Sequence, residues 1–148
     1  MKRHPSLAHL SRDHHGALLL ARLLQKNAPV YKGLPAGIAG KAQYALQFYA
    51  DELIPHFTAE EKVLHLVTGI NGALDLMVQT ILREHQELHT LFRTMPNHSD
   101  METHLDTTGR ALEIHVRKEE RELFPLMQES CSEALMNDID TCLSTKEK

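Results

Sequence analysis

Apolar residues recur along this chain at steps of three and four, the spacing that lines up one face of an α-helix. Leu7, Leu10, His14, Ala17, Ala21 and Leu24 form a first row, and Tyr49, Leu53, His56, Glu60, Val63 and Val67 a second. A third runs through Leu74, Val78, Ile81, His85, Leu88, Phe92 and Met95. The fourth takes in Met101, Leu105, Thr108, Leu112, His115, Glu119 and Leu126, with the Glu122/Leu123 pair at the turn between. No stretch shows the alternation of a half-buried strand. Helix breakers cluster at Asn27-Ala28-Pro29, Gly33-Leu34-Pro35, Thr68–Gly72 and Pro96–Ser99. They predict helices over about 8–27, 36–67, 73–95 and 100–129, then a short polar helix over about 132–143. Ser99 is the expected N-cap of the fourth helix, with Glu102 completing a capping box. Pro55 and Pro125 are expected to kink or close their helices. Residues 1–148 thus read as one all-α domain, an up-down-up-down four-helix bundle with a core over about 8–129 and a short C-terminal helix.

What interrupts the apolar rows is more informative than the rows themselves. Each carries a histidine at mid-length, and two carry a glutamate one turn later, in a chain with 11 histidines and no Trp. A buried carboxylate without a partner costs several kcal/mol or is neutralised. No Lys or Arg stands in any row at that level. A metal ion resolves the conflict, with neutral imidazoles as ligands and two carboxylates to neutralise and bridge. Residues four apart stack on one helix face, so His56/Glu60 and His115/Glu119 can each offer a nitrogen and an oxygen to one site.

HxxxE alone is weak, and His98/Glu102 reads as an accident. The longer string HxxxEExxL occurs twice, at His56-Glu60-Glu61-Leu64 and His115-Glu119-Glu120-Leu123. Arg12-Asp13-His14 is echoed by Arg83-Glu84-His85, so the chain reads as two helix pairs of one plan, facing each other across two metals. His14 lies on the Leu10/Ala17/Ala21 stripe, whereas His15 is rotated off it by about 100°. His14 is therefore the expected ligand. His89 shares the face of His85 one turn on and is the expected fifth histidine. Its counterpart in the repeat is Leu18, so the His85/His89/His115 side would be fuller and the His14/His56 side would keep an open position. Glu61 and Glu120 are read as solvated, or as outer partners that orient imidazoles. His4, His9, His65, His98 and His104 are expected at the surface.

The set His14, His56-xxx-Glu60, His85-xxx-His89 and His115-xxx-Glu119 resembles the hemerythrin-like family of HHE cation-binding domains over about residues 10–127. The resemblance implies a four-helix bundle around two non-haem irons with an oxo or hydroxo bridge. Glu60 and Glu119 would bridge, and the five histidines would be terminal ligands. Leu10, Ala17, Leu53 and Leu112 would give the site an apolar lining. Members bind dioxygen, sense oxygen, iron or redox state, or handle nitric oxide and peroxide. The family's oxygen carriers have His-xxxx-Asp where this chain has His115-xxx-Glu119, which sets it apart from simple oxygen transport. The expected function is metal binding with a small ligand such as dioxygen, peroxide or nitric oxide. A di-iron peroxidase, oxidase or iron-centre repair enzyme is the alternative, and a bundle with incidental histidines the bland one. Iron rests on the resemblance, since the same donors suit other divalent metals.

Composition removes other classes. With 16 basic and 20 acidic side chains the net charge is −4, and no basic stripe with interleaved aromatics offers a nucleic-acid face. The longest apolar run, Ala17 to Ala21, cannot span a bilayer. The start, Met1 to Pro5, leads into no signal-like apolar region, and two cysteines without a CxxC pair fit a cytoplasmic protein. No HExxH, P-loop, GxGxxG or nucleophile elbow is present.

Overall fold

The computed structural model describes residues 2–146, and among these there is no strand. A single 3-10 turn, Pro5–Leu7, leads into α1, Ala8–Leu24. α2, Ile38–Phe48, passes through a π-helical turn, Tyr49–Leu53, into α3, Ile54–Leu66. α4 is Gly72–Arg93. α5, Met101–Lys118, passes through a second π turn, Glu119–Leu123, into α6, Phe124–Ser130. α7, Glu133–Lys146, closes the chain. The termini follow local chemistry. Asn71 caps α4 by accepting the Leu74 amide at 2.9 Å. α5 is capped by Asp100, not Ser99, its carboxylate accepting the Thr103 amide at 3.2 Å. An anionic cap meets the positive end of the helix dipole better than a hydroxyl does.

The two prolines do not close their helices. Each stands at the second position of the α segment that follows a π turn, where the wider turn has already broken the regular ladder. A π turn also inserts a residue and rotates everything beyond it. The fourth row therefore continues through Leu123 and Met127, both fully buried, while the expected Leu126 is only partly covered.

The core falls into two apolar clusters. One gathers Leu7 of the 3-10 turn, Leu10 of α1, Val63 and Leu64 of α3, Leu74 to Ile81 of α4, and Leu123 to Met127 around α6. The other gathers Ala17 to Leu24, Ala45 to Phe57, Leu88 to Met95, and Leu105 to Val116. Along the Pro5–Leu24 segment and α4 the first cluster comes first in sequence; along α3 and the continuous α5–α6 segment it comes last, an order compatible with an up-down-up-down bundle. α1 lies along α5, and α7 packs on α3 and the Pro5–Leu7 turn. The last helix is less polar in role than its sequence implies, since it buries Met136, Ile139 and Leu143 in the first cluster. Cys131 and Cys142 are free thiols, one just past α6 and the other in α7, so they do not share one straight helix. No helix among the described residues is long and apolar enough to cross a membrane.

Candidate metal centre

Between the two clusters lies a layer of six polar side chains: His14, His56, Glu60, His85, His115 and Glu119. All are at most 6 % exposed, and both glutamates are fully buried. They form two quartets that share both carboxylates. His14, His56, Glu60 and Glu119 make one; Glu60, His85, His115 and Glu119 make the other. Within each, one donor atom per residue lies within 4.8 Å of all the others. Six of the seven residues expected as ligands from the sequence thus converge. His15 is exposed, while His14 is turned into the core.

His89 is the one expected ligand that stands outside both quartets. Its Nδ1 lies 2.5 Å from the Tyr49 hydroxyl, and the residue is only half-buried. Without it the two quartets carry the same donor types, so the expected difference in ligand number between them is not seen.

Every quartet histidine is held from behind by a carboxylate. The Nδ1–H of His14 donates to Glu120 at 2.6 Å and that of His56 to Asp13 at 2.9 Å. That of His85 donates to Glu61 at 2.7 Å and that of His115 to Glu84 at 2.8 Å. An ionised carboxylate can only accept, so these bonds keep a proton on Nδ1 and turn Nε2 inward. Glu61 and Glu120 are therefore orienting partners, although both side chains remain partly exposed. Asp13 and Glu84 escaped the sequence reading, although the repeat Asp13-His14/Glu84-His85 marks them as equivalent. His104, expected at the surface, is buried; its Nε2–H donates to the Leu91 carbonyl at 2.7 Å and its ring stacks on the exposed His98. His4 and His9 are half-buried, and His65 is exposed as expected.

The inward-facing atoms satisfy one another poorly. His14 Nε2 lies 2.9 Å from Glu119 Oε1 yet out of line for a hydrogen bond, and His56 Nε2 is 3.6 Å from Glu60. Only His85 Nε2 bonds to Glu60, at 2.9 Å. Among the described residues, six buried side-chain atoms have no hydrogen-bond partner: His14 Nε2, His56 Nε2, His115 Nε2, Glu60 Oε2 and both Glu119 oxygens. Orphaned polar atoms at this density are rare in folded proteins unless an ion completes them. Neutral nitrogens and shared carboxylate oxygens are also the donor chemistry that divalent and trivalent transition metals take. The residues fit a pair of cations.

Electrostatics of the chain's own groups point the same way. Burial alone would lower the His14 and His85 imidazoles, but Glu119 with Glu120 and Glu119 with Glu60, respectively, outweigh it and raise each to about 10. His115, likewise desolvated, is raised to about 9 by Glu119 and Glu84. Glu60 is pushed up by burial and the neighbouring Glu119 charge. Glu119, despite burial, is held well down by His115, Glu60 and His14. The layer thus gathers positive charge around its carboxylates, whether from protons or from metal.

Cavities of about 260 and 230 Å³ lie against His56; Ala17 and Leu53 line the first, and Asp13 and Glu52 border both. A third, of about 210 Å³, lies against His115. A larger groove of about 670 Å³ between α3 and α7 touches the centre only through Glu61. The sequence profile of the Hemerythrin HHE cation binding domain matches residues 6–127. No curated protein and no solved structure matches the chain.

Proposed function

The chain belongs to the hemerythrin HHE cation-binding family, and from that premise we propose that it is an up-down-up-down four-helix bundle holding two iron ions that bind or sense dioxygen, peroxide or nitric oxide. The observation that carries this reading is the pair of quartets sharing Glu60 and Glu119 in a buried layer. His14 and His56 would hold one ion and His85 and His115 the other, with Glu60 and Glu119 serving both. Iron, when bound, supplies electrons and an open coordination position to a small ligand.

The protein's own part is to orient and to exclude. Asp13, Glu61, Glu84 and Glu120 hold the Nδ1 protons, which removes rotational freedom before any metal arrives and raises ligand basicity once Nε2 gives up its proton. Leu10 and Leu112 are fully buried, and Ala17 and Leu53 nearly so, an apolar surround that would limit water access to a bound metal. Cytoplasmic placement remains part of the proposal.

Metal analysis and an optical spectrum on one aerobically purified sample test it. We expect about two irons per chain, with near-ultraviolet and visible absorption that changes on adding peroxide or nitric oxide. His56→Ala and His115→Ala lose the iron, while the exposed His98→Ala keeps it. Colourless protein without transition metal, or equal loss in all three variants, overturns the reading.

A further inference from the structure

The Tyr49–His89 pair is the chemistry-bearing contact that the proposed function leaves unused. Tyr49 is 7 % exposed, stands in the π turn, and stacks flat on Phe92 with ring centres 4.7 Å apart. Its hydroxyl is 2.5 Å from His89 Nδ1, short enough that, with a neutral His89 accepting there, the phenolic proton has a ready destination. The pair is also wired to the metal layer. The Phe57 ring stacks on His85 at 4.3 Å, and meets His115 at 6.0 Å and His89 at 5.4 Å edge to face. His89 in turn faces Tyr49 at 5.7 Å. Aromatic rings therefore run without a gap from two quartet histidines to a buried phenol whose proton acceptor is already in place.

We propose that Tyr49 is a one-electron donor to the metal centre, with His89 as its proton acceptor, and that it acts when hydrogen peroxide is reduced there. The inference rests on the iron reading above. Reducing one hydrogen peroxide to two waters takes two electrons and two protons. A centre with one iron(II) supplies one electron, becoming iron(III), and left alone would release a hydroxyl radical. Tyr49 supplies the second: its O–H bond breaks, its electron travels through the Phe57 contacts, its proton forms an N–H bond at His89 Nδ1, and a tyrosyl radical remains. The peroxide O–O bond breaks, and the two protons of the product waters come from solvent. A one-electron donor such as ascorbate restores Tyr49, and His89 returns the proton. The pair thus confines a damaging oxidant to a buried ring.

Full-length protein carrying iron, reduced by one electron and mixed with one equivalent of hydrogen peroxide, is freeze-quenched for electron paramagnetic resonance, with iron measured on the same sample. We expect an organic-radical signal whose splitting collapses when tyrosine is ring-deuterated. Tyr49→Phe abolishes it, whereas Tyr31→Phe and Tyr44→Phe, which replace the chain's other two tyrosines, leave it intact. His89→Gln slows its formation about a hundredfold by removing the positioned proton acceptor. Phenylalanine keeps the ring stack on Phe92, so loss of the signal with iron retained does not report unfolding. Iron present with no tyrosyl signal, or with a signal that survives Tyr49→Phe, overturns this inference alone. A chain that takes up no iron overturns it together with the proposed function.

Discussion

Glu84 accepts from two donors at once, the Nδ1–H of His115 and the ammonium of Lys118. Its carboxyl, although half-buried, is held below the ordinary range by both, so it stays an anion able to orient the ring. Replacing it with alanine frees the imidazole to rotate and to shift its proton. We expect Glu84→Ala to weaken metal binding about 10–100-fold, read by competition with a chelator of known affinity. An unchanged affinity would remove the orienting role assigned to all four outer carboxylates. The six quartet residues are legible in the sequence because helical spacing puts them on apolar faces, where a charge is conspicuous. Of the outer carboxylates, Glu61 and Glu120 stay open between two readings and Asp13 and Glu84 are missed, because each sits one position off the face, where an acidic residue is ordinary. Only the doubled motif singles them out. His104 defeats the reading for another reason. Its partner is a backbone carbonyl of the neighbouring helix, and no side-chain pattern announces it.

The elements were placed by their periodicity to within a few residues, yet the two π turns were not, since no residue type demands one. What signals them is the phase of burial, which slips by one residue between Glu119 and Met127. A second unannounced feature is the closeness of α1 to α5. At Gly109 a Cβ atom would come 2.5 Å from the Ala21 carbonyl oxygen and 3.0 Å from Leu24 Cβ, and a backbone oxygen cannot swing aside. Gly109→Ala therefore costs about 1–3 kcal/mol despite alanine's better helix propensity. Thermal unfolding should show it as a drop of roughly 3–10 °C. Gly72→Ala, at the start of α4 with open space around the added atom, should leave the midpoint unchanged or slightly higher. Similar losses at both positions would mean that the helix pair is not so close.

At the scale of the whole molecule, folding, protons and metal compete for one layer. In the metal-free protein His14, His85 and His115, raised from 6.5 to about 10, 10 and 9, carry protons at neutral pH. Their pairing with the glutamates contributes stability that is complete below pH 6.5 and is lost as pH rises through about 9 to 10. A metal needs those nitrogens unprotonated, so loading must expel protons. We expect measurable proton release on titrating iron(II) or zinc into metal-free protein at pH 7, with apparent affinity climbing with pH and levelling near 10. In alkali the metal-free form should melt earlier while the loaded form holds. Affinity that does not vary with pH would contradict this charge assignment.

The sharing of Glu60 and Glu119 has a further meaning for the fold's two halves, divided at the Thr68–Asn71 bend. The leading half owns His14, His56 and Glu60; the trailing half owns His85, His115 and Glu119. Each therefore brings three donors to one quartet and a single carboxylate to the other. The outer clasps cross the divide as well, with Glu120 steadying His14 and Glu61 steadying His85. Neither half can complete even its own cation alone, so a filled centre records that both halves have met in register. Custody of any bound ion would be joint, and whatever loosens one half would weaken the hold of both quartets.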